Sequence, residues 1–390
     1  MSRNLAIVCQ GLVHRHSVAN VALHHAEQLS ARGWQVRLLS DSFPCDLPAS
    51  LLQERLQPLC FDWLRRFCHL PNALSFSITA LLRLQKLSSS SACDAVLFHS
   101  HPDAAIAGRW LQSRHRLPFV LVTHGVIHDR PRGNYPPDLT WLYKVATRPA
   151  FVAADCNVAL SPAMGDLACR HGARPHTVQL IPNGIDPEEI GLDPAAPLPS
   201  VSVDVARNLL FLGSLAPVKG LQTLVEACAL LRQRHQPFSL TIAGSGTLTL
   251  ERHYRQLVNA HQLEDQVAFI GRVPRAKLGA LLQSHHLMVV PSLSEPLPTV
   301  VLEAMIAGCP VIGSDVGGIP FLLDGGQAGV LVPPDSVQQL ADSISHLMLN
   351  LQTINRLRME AHQRASSLFS WQSCGEALSE AMADLLPQEA

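Results

Sequence analysis

Charge is scarce in this 390-residue chain: Asp, Glu, Lys and Arg together make up 16% of it, and the formal net charge is −1. So low and balanced a charge gives no basic footprint for nucleic acid, and no nucleic-acid partner is expected. Long apolar runs are missing too. Although 47% of the residues are hydrophobic, no run reaches the roughly 18 residues that span a bilayer, which excludes an integral membrane protein. The apolar stretch within Met1 to Cys9 is too short for a signal-peptide core and reads as a strand, so a cytoplasmic location is expected. Metal and redox spacings are equally absent. Cys9, Cys45, Cys60, Cys68, Cys93, Cys156, Cys169, Cys228, Cys309 and Cys374 are scattered with no CxxC pair, as reduced thiols would be. His99 and His101 have HxH spacing but no acidic or cysteine partner at a suitable distance in sequence, so no metal site is expected.

What is present begins with length, since a single core stops growing near 250 residues and 390 residues imply two. Charge is divided unevenly between the halves: residues 1–190 carry 18 Lys and Arg against 14 Asp and Glu, and the remainder 12 against 17. A basic first half is compatible with a phosphorylated acceptor or with peripheral contact on the inner face of a membrane.

Apolar strands alternate with amphipathic helices from the start. Leu5–Cys9, a polar loop Gln10–Ser17, a helix ending at Gly33 and a strand Gln35–Leu39 form a βαβ opening, and strands follow at 95–98, 119–122 and 156–160. Ligands of open parallel sheets bind beyond the carboxyl ends of the strands, which draws attention to His99-Ser100-His101, His124-Gly125 and Ser161. Residues 61–87 interleave Trp63, Leu64, Phe67, Leu81 and Leu82 with basic residues, and read as a helix pair broken at Pro71 that packs on this sheet, or as a membrane-facing surface. Five prolines between 181 and 208 interrupt the pattern. It then resumes at 209–212, 240–243, 267–270, 287–290, 311–312 and 330–332. The expected organisation is a doubly wound domain over 1–190, a linker over 191–208, a second such domain over 209–370, and a C-terminal helix in 371–390 that packs back on the first domain.

The sharpest chemical feature is Glu295 and Glu303, eight residues apart across the junction from the strand at 287–290 to a helix starting near Thr299. The unbonded N–H groups of Thr299 and Val300 at that helix start suit a phosphate. A carboxylate one turn further on suits a diol such as a ribose, because it accepts two hydrogen bonds. Gly213-Ser214-Leu215-Ala216-Pro217-Val218-Lys219-Gly220 and Ala243-Gly244-Ser245-Gly246 follow two other strands; the glycines admit close backbone approach, and Lys219 supplies a cation.

In this order the pieces resemble the retaining glycosyltransferases of family 4 with the GT-B fold. The likeness runs from Asn183-Gly184-Ile185-Asp186 through Phe211 to Gly220, Ile242 to Gly246, Val267 to Arg272, Pro291-Ser292 and the glutamate pair to Ala307-Gly308-Cys309-Pro310-Val311-Ile312. It implies two Rossmann-like domains facing across a cleft, with a nucleoside diphosphate sugar, UDP- or GDP-linked, as donor and no cofactor or metal. Glu295 would meet hydroxyls of the donor sugar, Glu303 the ribose and Lys219 the diphosphate. The backbone around Arg272 and Val273 would hold the base, with Gly213, Gly244, Leu297, Thr299 and Val300 lining the pocket. His124, near the donor anomeric carbon, joins Glu295 as a catalytic candidate, while Gly11, His16 and His99 face an acceptor hydroxyl of unknown identity. Two departures stand out. Ser214 replaces an arginine that normally follows the glycine, and Pro296-Leu297-Pro298 replaces a Gly-Phe-Gly, removing two backbone donors. Transfer with retention in glycan, glycolipid or glycoconjugate synthesis is the expected activity, set against two alternatives: a sugar-nucleotide epimerase on the same fold, and a non-catalytic nucleotide-binding scaffold.

Overall fold

Short runs of Leu, Ile, Val and Ala flanked by turn residues become buried parallel strands, because strands covered on both faces need no polar alternation. The computed structural model describes residues 3–12, 17–57, 70–90, 92–115, 117–125, 137–198 and 207–386. It divides into two compact units, one formed by Met1–Asn183 with Trp371–Ala390 and the other by Gly184–Ser370.

The first unit runs β1 (Arg3–Val8), α1 (Ser17–Ala31), β2 (Trp34–Ser40), β3 (Leu52–Arg55), α2 (Leu70–Ser89), β4 (Ala95–Phe98) and α3 (His101–Asp103). A π-helical segment, Ala104–Gly108, leads into α4 (Arg109–His115), followed by β5 (Phe119–Thr123), α5 (Pro137–Ala153), β6 (Cys156–Ala159), α6 (Pro162–Arg170) and β7 (Val178–Leu180). Its seven strands lie in the order β3-β2-β1-β4-β5-β6-β7, and every pairing is parallel. Strand order reverses between β1 and β4, so Cys9, Gly11 and His99 follow the two strands at the switch point where such sheets bind ligands.

The second unit contains β8 (Asn208–Leu212), α7 (Leu221–Gln233), β9 (Ser239–Ala243), α8 (Leu248–Ala260), β10 (Val267–Gly271), α9 (Leu278–Gln283), β11 (Leu287–Val290) and α10 (Thr299–Ala307). β12 (Val311–Ser314), α11 (Ile319–Leu322), β13 (Val330–Val332), α12 (Val337–Met348) and α13 (Leu351–Leu368) complete it, and the chain then returns to the first unit as α14 (Trp371–Ala383). The sheet order is β10-β9-β8-β11-β12-β13, again parallel throughout. Its core joins Leu209 and Phe211 of β8, Leu224 of α7, Ile242 of β9 and Val289 of β11. Each fully buried side chain of this kind contributes about 1.5–3 kcal/mol relative to exposure. Here the switch point falls between β8 and β11, and their carboxyl ends lead into the glycine loop and the first glutamate.

The helix α2 starts at Leu70 with Pro71 in its first turn, where the missing N–H costs nothing; residues 58–69, with Trp63, Leu64 and Phe67 and the first helix of the expected pair, fall outside the described residues. Two local features differ from the sequence-based expectation. Two strands went unpredicted: β3 has the sequence LQER at an edge and β7 is only VQL. Finally, the proline-rich stretch is not all linker. Pro187–Ile190 forms a 3-10 turn with Ile190 buried, and Leu192 packs on Gly279, so residues 184–198 belong to the second unit.

Candidate active site

Glu295 sits in the loop after β11 and is 5% exposed, yet it is not an orphan charge. Its Oε1 accepts from Lys219 Nζ at 2.5 Å and from Ser292 Oγ at 2.8 Å. Lys219 arrives on the loop after β8 through a 3-10 turn, Pro217–Lys219, closed by Gly220 at φ +68°. A Cβ at Gly220 would stand 1.8 Å from the Pro291 carbonyl oxygen, so only glycine lets the β8 loop lie against the β11 loop. The Leu293 N–H donates to Val218 O at 2.8 Å and fixes that approach.

The Pro296-Leu297-Pro298 segment is held from the other side. Gly318 N–H donates to Glu295 O at 3.0 Å, and a Cβ at Gly317, with φ +56°, would fall 1.7 Å from that same carbonyl. Leu297 is buried beneath this turn, and Pro298 occupies the N-cap of α10. Thr299 and Val300 are therefore the first helical residues, half-buried, with N–H groups that no earlier turn of the helix can satisfy.

Glu303, on the second turn of α10, is buried, and its Oε1 accepts from Arg275 Nη1 at 2.7 Å. Arg275 also grips Glu189 Oε2 through Nη2 at 2.6 Å and Nε at 3.1 Å. Burial pushes the Glu303 carboxyl above its usual range, and the Arg275 charge and hydrogen bond act against that rise. Neither Arg275 nor Glu189 is apparent as a site residue in the sequence; the one available signal for Arg275 is a second basic residue three positions after Arg272 at the end of β10. Arg272 is exposed and Val273 half-buried in that turn. Gly213 and Gly244 follow β8 and β9, Gly213 N–H donates to Ala243 O at 3.0 Å, and Ser214 is exposed on the loop.

In the first unit, three histidines pack together. His99 Nδ1 lies 2.9 Å from His124 Nε2 with the rings stacked, and His25 is 5.3 Å from His99 between ring centroids. Burial keeps His99 neutral, with its pKa well below the usual value, and lowers His25 to about 3. His25 is buried on α1, and α14 brings Cys374 Sγ to 3.5 Å from its Nε2. Gly11 N–H donates to Asp41 Oδ1 at 2.8 Å. His16 lies outside the described residues. His99 and His101 do not share a strand: His101 opens α3 and packs on Phe151.

Family models match both units, Glycosyltransferase Family 4 over residues 18–189 and Glycosyl transferases group 1 over 202–364. The chain belongs to glycosyltransferase family 4. Relatives of this family 4 chain include a glycogen synthase of Mycobacterium tuberculosis, 29% identical over 77% of this chain and 71% of the relative. An alpha-maltose-1-phosphate synthase of Mycolicibacterium smegmatis is 29% identical over 72% and 77%. Among solved structures, the sucrose-phosphate synthase of Thermosynechococcus elongatus superposes with a TM-score of 0.80 at 20% identity, covering 98% of this chain and 99% of that one. HepE of Anabaena, solved with UDP-glucose, gives 0.74 at 18% identity over 98% and 99%. These likenesses establish the GT-B fold. No helix among the described residues is long and apolar enough to cross a membrane.

Proposed function

We propose that this glycosyltransferase moves a hexosyl unit from a nucleoside diphosphate sugar to an acceptor hydroxyl with retention of configuration. The observation that carries this is the convergence of Lys219, Glu295 and the start of α10 at the carboxyl ends of β8 and β11, with the buried Glu303 one turn further on. The bond from the anomeric carbon to the diphosphate oxygen breaks, the acceptor oxygen bonds to that carbon, and the acceptor proton leaves with the diphosphate. Charge grows on the leaving diphosphate, and in this reading Lys219 and the N–H groups of Thr299 and Val300 take it up, with no metal ion or other cofactor required. Glu303 takes the ribose diol, the turn at Arg272 and Val273 the base, and Glu295 the sugar hydroxyls. HepE was solved with UDP and with UDP-glucose, which favours a UDP-linked over a GDP-linked donor. In the first unit His124, braced by His99, serves the transferred sugar and acceptor side together with Gly11 and His16.

The acceptor belongs to glycan, glycolipid or glycoconjugate synthesis at the cytoplasmic side. One face of α5 exposes Trp141 and Val145 beside Lys144 and Arg148, a surface suited to peripheral contact with anionic lipid. Cosedimentation with anionic vesicles, lost in Trp141→Ala, tests that contact.

Incubation with a panel of sugar nucleotides and a lysate acceptor pool, followed by mass spectrometry, tests the activity. Acceptor-dependent release of nucleoside diphosphate with a glycosylated product supports it. Conversion of the donor without acceptor would identify an epimerase, and nucleotide binding that leaves every donor intact a scaffold.

A further inference from the structure

We propose that Arg275 is a positioning residue of the donor site, holding the Glu303 carboxylate in place for a ribose diol while Glu189 fixes the guanidinium. The proposal rests on the assignment of Glu303 to the ribose.

Three side chains from separated parts of the second unit form this chain of contacts. Glu303 lies on α10, Arg275 on the 3-10 turn Arg275–Lys277 after β10, and Glu189 on the 3-10 turn Pro187–Ile190, just after the chain enters this unit. Arg275 presents Nη1 to Glu303 and the Nε and Nη2 edge to Glu189, so its plane is fixed by two carboxylates. Among the described residues Oε1 is the only Glu303 oxygen with a partner, which leaves Oε2 to accept from a hydroxyl.

Among the described residues no other cation acts on Glu303. The helix α13 brings Arg358 and His362 to α10, but they bond Gly308 O and Ile306 O at its far end. The α9 and α11 helices packed beside α10 contain no ionisable residue. Glu303 is 2% exposed, and burial alone drives its carboxyl towards the protonated form, which donates a proton where the diol needs an acceptor. The Arg275 charge opposes this, while Glu189 orients Arg275 at the cost of a weaker like-charge effect on Glu303.

The geometry predicts a pH signature. Calorimetric titration with UDP would compare the full-length protein with Arg275→Met, Arg275→Lys, Glu303→Gln and the Arg275→Met/Glu303→Gln double variant. Arg275→Met should bind UDP about tenfold more weakly near neutral pH and recover part of that loss as pH is raised, because the Glu303 carboxyl then ionises without the guanidinium. Arg275→Lys keeps the charge without the fork: its affinity should be intermediate and should vary with pH no more than that of the unsubstituted protein. The double variant should bind no more weakly than Glu303→Gln alone, and neither should show the recovery. A pH-independent loss in Arg275→Met, additive with Glu303→Gln, would overturn the positioning role. If Glu303→Gln binds UDP as tightly as the unsubstituted protein, the ribose assignment fails first and the role of Arg275 fails with it.

Discussion

Lys219 Nζ and Glu295 Oε1 meet at 2.5 Å although the residues are 76 positions apart, one on the loop after β8 and the other on the loop after β11. Without donor, each neutralises the other. A diphosphate that takes over Lys219 frees Glu295 for a sugar hydroxyl, with Ser292 still bound at 2.8 Å. Lys219→Met should therefore weaken UDP by about tenfold or more and leave uridine within about twofold, as a charged hydrogen bond to phosphate is worth ~1.5–3 kcal/mol. Calorimetry with both ligands checks this, and equal losses for UDP and uridine would remove Lys219 from the phosphate.

Ser214, on the loop after β8, is exposed and stands where the resemblance to family 4 leads one to expect an arginine. Ser214→Arg should tighten UDP by several-fold at low ionic strength, and the gain should shrink as salt rises towards about 0.5 M, because an exposed pair is readily screened. No gain at any salt concentration would mean that the loop does not face the diphosphate.

The Gly317 turn holds the backbone of Glu295. Gly317→Ala and Gly325→Ala both place a side chain at positive φ, +56° and +62°, a strain of roughly 1–2 kcal/mol in each case. Only at Gly317 does the new Cβ collide, 1.7 Å from Glu295 O, whereas Gly325 has open space. Thermal unfolding should show a distinctly larger drop for Gly317→Ala, accompanied by loss of donor binding. Equal drops and intact binding would show that the two loops move apart at no cost.

The histidine cluster makes the first unit acid-sensitive. Burial lowers the His25 pKa from 6.5 to about 3 and lowers that of His99 as well, so the unfolded chain takes up protons that the folded one refuses. The stability these neutral histidines allow is present above pH 6.5 and is lost as pH falls below it. Asp103 acts in the opposite sense. Its burial raises its pKa from 3.8 to about 6, so it adds stability as pH falls from about 6 and offsets part of the histidine loss. All five tryptophans fall within the residue ranges of the first unit, so their fluorescence in urea follows that unit alone. Below pH 6.5, His25→Gln should flatten the fall in stability by up to about 1.4 kcal/mol per pH unit. A slope unchanged by the substitution would mean that His25 titrates normally in the fold.

The strands were readable where their apolar signal is local. β4, β11 and β13 fall at the residues expected from composition, while the LQER of β3 lies at a sheet edge and has no apolar face to announce it. The α10 start at Thr299 likewise agrees with the strand-loop-helix pattern. What escaped the sequence is every partner supplied by tertiary packing. Arg275 reaches Glu303 across 28 positions, and buried His25 meets Trp371 and Cys374 of α14 from a distant part of the chain. No periodicity records such pairings, since they depend on which sheet edges and helices come to lie side by side.

The central claim is a nucleotide pocket in the second unit with Glu303 on the ribose, and calorimetric titration of UDP into the unsubstituted protein and Glu303→Ala tests it most directly. The unsubstituted protein should bind UDP, and Glu303→Ala should bind it more weakly by ~1.5–3 kcal/mol, the value of a hydrogen bond to a charged group. Equal affinity for the two proteins would contradict the account.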